Sequence, residues 1–132
     1  MATLSVNDKA PDFQLMDQDK KIRTLAEFKG SYIVLYFYPK DDTPGCTKEA
    51  CMIRDSYNEF EDNGIVVLGV SKDSPESHVK FREKYELPFI LLSDMDKSVI
   101  STYGADGILF NKRITYVIDP EGNIVKIYPN VD

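Results

Sequence analysis

Four short apolar runs punctuate the chain, at residues 32–38, 65–70, 89–92 and 115–118. Each is continuous and rich in β-branched or aromatic residues, the pattern of strands buried on both faces. A fifth run, 124–128, follows the turn signal Asp119-Pro120-Glu121-Gly122-Asn123 and predicts a hairpin with the fourth. Near the start, residues 12–15 and 21–25 predict another hairpin across the polar turn 17–20. Between the strands the period becomes helical. Ala50, Ile53, Tyr57 and Phe60 recur three, four and three residues apart, one face of a helix that stops at Asn63-Gly64. Ser74-Pro75 opens a second helix carrying Val79 and Phe81, with Pro75 suited to the first helical position. Residues 96–103 predict a third, stopped at Gly104. Strands and helices alternating in this way imply an α/β layered sheet.

At 132 residues this is one domain, residues 1–132, long enough to bury a real core. No apolar run approaches the ~20 residues a membrane span needs. The first residues lack a basic stretch followed by an apolar block, so no signal peptide is expected and the default location is cytoplasmic. A net charge of −6 argues against nucleic acid as the partner, because phosphate binding needs clustered Lys and Arg. Two cysteines in a reducing compartment point to redox or metal chemistry rather than a structural disulfide. With His78 alone to join them they make a thin zinc-ligand set, and no metal is expected.

The chemistry concentrates around Cys46. The strand 32–38 runs into Pro39 and stops; Thr43 is placed as an N-cap and Pro44 at the first helical position, which sets Cys46 in the first turn. Unpaired backbone N–H groups and the positive end of the helix dipole favour a thiolate there. Asp41, Asp42 and Glu49 oppose it, so a nearby cation is needed, and Arg113 is the candidate. On the helix wheel Cys46 shares the arc of Ala50, Ile53, Tyr57 and Phe60 and faces inward, into a pocket. Cys51 lies near the helix edge. Residues five apart on an ideal helix have Cα atoms ~8.7 Å apart, whereas a disulfide needs less than about 7 Å. If the two cysteines react with each other, the first turns must unwind.

The residues then match a family. Pro39-x-x-x-Thr43-x-x-Cys46 resembles the active-site signature of peroxiredoxins, and the longer run from Phe37 to Cys51 resembles the peroxiredoxin Q, or bacterioferritin comigratory protein, subfamily. Ala10-Pro11-Asp12-Phe13 and the segment 113–119 extend the similarity over essentially the whole chain. The resemblance implies a thioredoxin-like fold with a central mixed β-sheet flanked by helices. It implies reduction of hydrogen peroxide and organic (alkyl) hydroperoxides without metal, flavin or haem. By the family pattern Cys46 is the peroxidatic cysteine and Cys51 the resolving one, Thr43 and Arg113 bind peroxide and activate the thiolate, and Pro39 shields the pocket. Tyr38, Gly45 and Glu49 fall in the same pocket-forming stretch. Thioredoxin or a similar dithiol protein is the implied reductant.

Two departures accompany the match. The chain stops at Asp132, where family members usually continue into a last helix that packs on the sheet, so some apolar sheet surface is expected to be uncovered. Arg113 is followed by Ile114 in place of a small polar residue, with little expected consequence. An intramolecular disulfide needs no second subunit, which favours a monomer, while uncovered surface leaves a dimer open. His78 is read as a solvated residue of the second helix, and the stretches 17–21 and Asp94, Asp96, Lys97 as solvated turns. Two other readings stand beside the leading one: a one-cysteine peroxidase resolved by an external thiol, and a redox sensor that changes partners on oxidation.

Overall fold

A computed structural model describes residues 4–107 and 111–129. The expected ending at Asp132 without a final helix lies outside the described residues. The elements are β1 (Gln14–Asp17), β2 (Ile22–Thr24), a 3-10 turn (Ala26–Phe28), β3 (Tyr32–Phe37), α1 (Pro44–Asp55), α2 (Tyr57–Asp62), β4 (Ile65–Ser71), α3 (Pro75–Tyr85), β5 (Ile90–Ser93), α4 (Ser98–Thr102), β6 (Ile114–Ile118) and β7 (Ile124–Tyr128). They form a seven-stranded sheet in the order β2-β1-β5-β4-β3-β6-β7. The pairs β3–β4 and β4–β5 are parallel, whereas β1 and β6 join antiparallel, so the sheet is mixed as expected. Both expected hairpins form.

Period-two alternation along β3 splits the core in two. Ile33, Leu35 and Phe37 face one side with Leu68, Val70, Ile100 and Tyr103. Tyr36 and Tyr38 face the other with Cys46, Ala50, Phe81 and Phe89. The helices α1 to α3 therefore cover the face that carries Cys46. The expected helix around residues 50–60 is in fact two. The hydrophobic spacing runs straight through Ser56, but Ser56 itself takes φ −101°, ψ 6° and separates α1 from α2.

Three expectations about polar residues are corrected. His78 is fully buried at 0% exposure, because it lies on the face of α3 that also buries Pro75 and Phe81. Asp94 is 1% exposed, since its Oδ2 accepts the backbone N–H of Ile100 at the start of α4. In the 17–21 turn, Asp17 and Gln18 are buried. Asp17 accepts the N–H groups of Asp19 and Lys21, and Gln18 bonds Phe89 O and Leu91 N like an extra strand residue beside β5.

Candidate active site

Helix α1 starts where the sequence places it. Pro44 opens the helix after Thr43, whose extended backbone (φ −97°, ψ 155°) occupies the N-cap position. The Thr43 hydroxyl makes no capping bond and instead donates to Lys40 O at 2.9 Å. Its oxygen keeps its acceptor lone pairs. Cys46 falls in the first turn and is 2% exposed, packed with Ala50, Tyr36 and Tyr38. Its expected inward orientation follows from sharing the buried side of α1 with Ala50.

Arg113 comes from the segment just before β6, which pairs with β3 antiparallel and so brings residue 113 to the end of β3 from which the Cys46 loop departs. Its Nη1 donates to Cys46 Sγ at 3.3 Å and to Glu49 Oε1 at 3.0 Å. One nitrogen thus serves both groups, and Glu49 aims it. Burial works against the guanidinium charge, but the bonds to Cys46 and Glu49 outweigh it and raise the Arg113 pKa. Burial likewise raises the Glu49 carboxyl, opposed by its bond to Arg113. Gly45 makes room for this geometry: a Cβ there would lie 2.9 Å from Arg113 Nη2.

Each of the acids that oppose a thiolate has hydrogen-bond partners of its own. Asp41 bonds Tyr38, Ser77 and His78. Asp42 is held by Lys84 and Tyr85, and Glu49 by Arg113.

Of the remaining expected site residues, Pro39 is half-buried at the strand exit and Gly45 is exposed. Tyr38 is buried and its hydroxyl donates to Asp41. Cys51 is a half-buried free thiol on the same intact helix as Cys46. Beside the site opens a cleft of about 310 Å³ lined by Val34, Tyr36, Met52, Ile53, Arg113 and Thr115, among others. Met52 on its rim, a residue of α1, is 62% exposed. Sequence reasoning missed the pairing of His78 with Asp41. The spacing of His78 from Phe81 and Tyr85, three and then four residues, was the available signal.

A buried thiol in the first turn of a helix, a guanidinium on its sulfur and a second thiol one turn further on define a cysteine-based redox enzyme. The AhpC/TSA family model matches residues 6–127. A Coxiella burnetii relative named for peroxiredoxin bcp is 47% identical over 98% of this chain and 91% of its own. Peroxiredoxin Q of Gentiana triflora, a chloroplastic protein, is 47% identical over 98% of this chain, which spans 61% of that relative's length. The crystal structure of a Xylella fastidiosa peroxiredoxin Q mutant superposes with a TM-score of 0.92 at 30% identity, covering 100% of this chain and 89% of that one. The chain belongs to the AhpC/TSA family and, within it, to the peroxiredoxins of the Q/bcp type, which are thiol peroxidases with a thioredoxin-like fold. No helix among the described residues is long and apolar enough to cross a membrane.

Proposed function

We propose that the protein reduces hydrogen peroxide and organic hydroperoxides with Cys46 as the attacking thiolate and Cys51 as its resolving partner. The observation that carries this reading is the 3.3 Å bond from Arg113 to the Sγ of a cysteine only 2% exposed at a helix start. The Cys46 sulfur attacks one peroxide oxygen; an S–O bond forms as the O–O bond breaks. The departing oxygen takes up the proton the thiol gave up and leaves as water or alcohol. Negative charge moves from sulfur to that oxygen, so donors fixed along the path lower the barrier. Arg113, the Cys46 backbone N–H and the Thr43 hydroxyl occupy that path in this reading, and Pro39 limits access of water. The apolar cleft beside Cys46 suits the alkyl part of an organic hydroperoxide.

The sulfenic acid at Cys46 then condenses with the Cys51 thiol, releasing water and forming a disulfide. On intact α1 the two Cα atoms are ~8.7 Å apart by ideal geometry, so the helix start opens for this step. A dithiol protein of the thioredoxin kind restores both thiols. The whole chain acts as a single domain, as a monomer, in a reducing compartment such as the cytoplasm. Turnover coupled to thioredoxin and its reductase tests the reading: Cys46→Ser abolishes peroxide consumption, and unchanged consumption refutes it. Intact mass after one equivalent of peroxide falls by about 2 Da if the internal disulfide forms; an adduct of an added small thiol in its place favours the one-cysteine route.

A further inference from the structure

The loop that delivers Cys46 is fastened by a buried polar chain that the chemistry above leaves without a task. Asp41 lies five residues before Cys46 and is 7% exposed. Its Oδ1 accepts the Tyr38 hydroxyl at 2.6 Å. Its Oδ2 accepts the Ser77 hydroxyl at 2.9 Å and faces Nδ1 of His78 at 2.7 Å. The other ring nitrogen of His78 lies 3.0 Å from the carbonyl oxygen of Leu92. A carbonyl cannot donate, so Nε2 carries a hydrogen and ties α3 to β5, while one proton joins Nδ1 to Asp41. The Asp41 backbone N–H donates to Asp73, which also accepts the Ser71 hydroxyl. Ligating atoms of Asp41, Asp73 and His78 lie within 4.8 Å of one another, but each is already engaged by a protein hydrogen bond. Hydrogen bonding, rather than a cation, accounts for the cluster.

Beyond Asp41 the fastening changes character. Asp42 takes a left-handed backbone, φ 57°, and its carboxylate is held at the surface by Lys84 and Tyr85. Exposed pairs of this kind contribute little, whereas a fully satisfied buried network resists opening. The boundary between stiff and soft backbone therefore falls between Asp41 and Asp42, just before the turn that carries Thr43 and Cys46.

Resting on the peroxidase reading above, we propose that Asp41 and His78 are positioning residues for the reaction. The Tyr38–Asp41–His78 chain fixes the backbone up to residue 41. The first turn of α1 then holds Cys46 against Arg113 for attack, and the unwinding that lets Cys51 reach it begins at Asp42. Loosening the chain misplaces Cys46 and slows attack. It does not slow the condensation, which needs the helix open.

Rapid-quench mixing with peroxide, followed by thiol alkylation and mass spectrometry, resolves the two steps in the 132-residue chain. Asp41→Ala slows attack by about tenfold or more, as a misplacement of this kind does, and leaves condensation unchanged or faster. The Cys46 sulfinic acid formed at high peroxide, where a second peroxide oxidises the sulfenic acid before Cys51 reaches it, falls accordingly. Asp41→Asn restores attack to within about threefold. Its carbonyl accepts from Tyr38, and its amide donates to Ser77 and to an unprotonated Nδ1, so every contact survives. Tyr38→Phe removes one donor, is milder for folding, and slows attack about threefold. Wild-type attack rates in Asp41→Ala and Tyr38→Phe overturn the proposal. So does an equal slowing of both steps in proportion to lost thermal stability, which marks a merely structural role. Peroxide consumption that survives Cys46→Ser would instead refute the peroxidase reading itself.

Discussion

Replacing Gly45 by alanine separates stability from chemistry at one position. The added Cβ would lie 2.9 Å from Arg113 Nη2 and 3.7 Å from its Cζ, while ordinary contact begins at 3.4 Å, so the guanidinium retreats by about half an ångström or more. Arg113 is the flexible end of the contact and moves readily. Its Nη1 sits 3.3 Å from Cys46 Sγ, an ordinary separation for N–H···S, and the retreat lengthens and misaligns that bond. A hydrogen bond to a charged group contributes about 1.5–3 kcal/mol, so weakening it by most of that value lowers the rate constant for peroxide attack by about tenfold, and complete loss sets the ceiling. Gly45 has no left-handed backbone requirement, being absent from the positive-φ glycines, and it lies in α1. Alanine there gains up to about 0.5–1 kcal/mol of helix propensity. Thermal unfolding followed by circular dichroism is expected at the wild-type midpoint or slightly above. Competition kinetics for hydrogen peroxide measure the attack rate, and Arg113→Ala supplies a cycle: adding Gly45→Ala to it costs little further, because both changes remove the same bond. Attack within about twofold of wild type in Gly45→Ala, or full additivity with Arg113→Ala, would show that this bond does not govern the step.

Gly69 is a different case: a Cβ there would meet the Tyr36 ring at 2.9 Å from Cζ and from the hydroxyl. Tyr36 is 1% exposed and stacked on Tyr38, so it cannot swing away, and Gly69→Ala lowers stability in urea unfolding by about 1–3 kcal/mol. Asp94→Asn reports on pH: burial raises the folded-state Asp94 pKa above that of the unfolded chain. Its contribution is therefore fully present below the ordinary aspartate range and is lost as pH rises through the folded value. The stability of wild type relative to Asp94→Asn falls on raising the pH from about 4; a flat difference would mean the carboxylate is not desolvated. In Cys51→Ser, peroxide leaves Cys46 as a sulfenic acid with no partner. Amides of residues 47–51 then exchange about tenfold faster or more than in the reduced form, and equal exchange would mean that oxidation does not release the helix.

Which of these features the sequence reveals depends on the range of the interactions. The succession of strands and helices along the chain, the starts of α1 and α3 and the inward face of α1 follow from local periods and caps, and they appear where expected. Cys46 is legible for the same reason: Thr43, Pro44 and the strand exit all lie within a few residues of it. Arg113 is 67 residues from Cys46; the need for a cation makes it a candidate, and the likeness to a known signature is what favours it over other basic residues. Polar residues with distant partners were misread. His78 pairs with Asp41 and Leu92, 37 and 14 residues away, and Gln18 with Phe89 and Leu91, 71 and 73 away. A polar side chain is called solvated when its partner cannot be seen, since burial without one would be costly. The break at Ser56 escapes detection because hydrophobic spacing records which face is buried, not whether the backbone continues as one helix.

The activating interactions at Cys46 share one property: they act on negative charge. Arg113 and the start of α1 favour the thiolate, and the thiolate in turn favours the wound helix that presents them. In the proposed reaction, attack converts the thiolate to S–OH. The charge is gone, and an oxygen is added to a side chain only 2% exposed and already packed against Tyr36, Tyr38 and Ala50. Losing the charged bond and the dipole term removes about 2–4 kcal/mol of preference for the folded turn. That shifts a two-state equilibrium by roughly 30-fold or more, before overpacking adds its share. The tethers that remain beyond Asp41 are the exposed contacts of Asp42 with Lys84 and Tyr85, the Thr43 bond to Lys40 O and the Glu49 pair with Arg113, of which the last is the strongest. Oxidation thus supplies its own reason for α1 to unwind. No separate trigger is required for Cys51 to reach the sulfur, and the helix rewinds once the thiolate is restored.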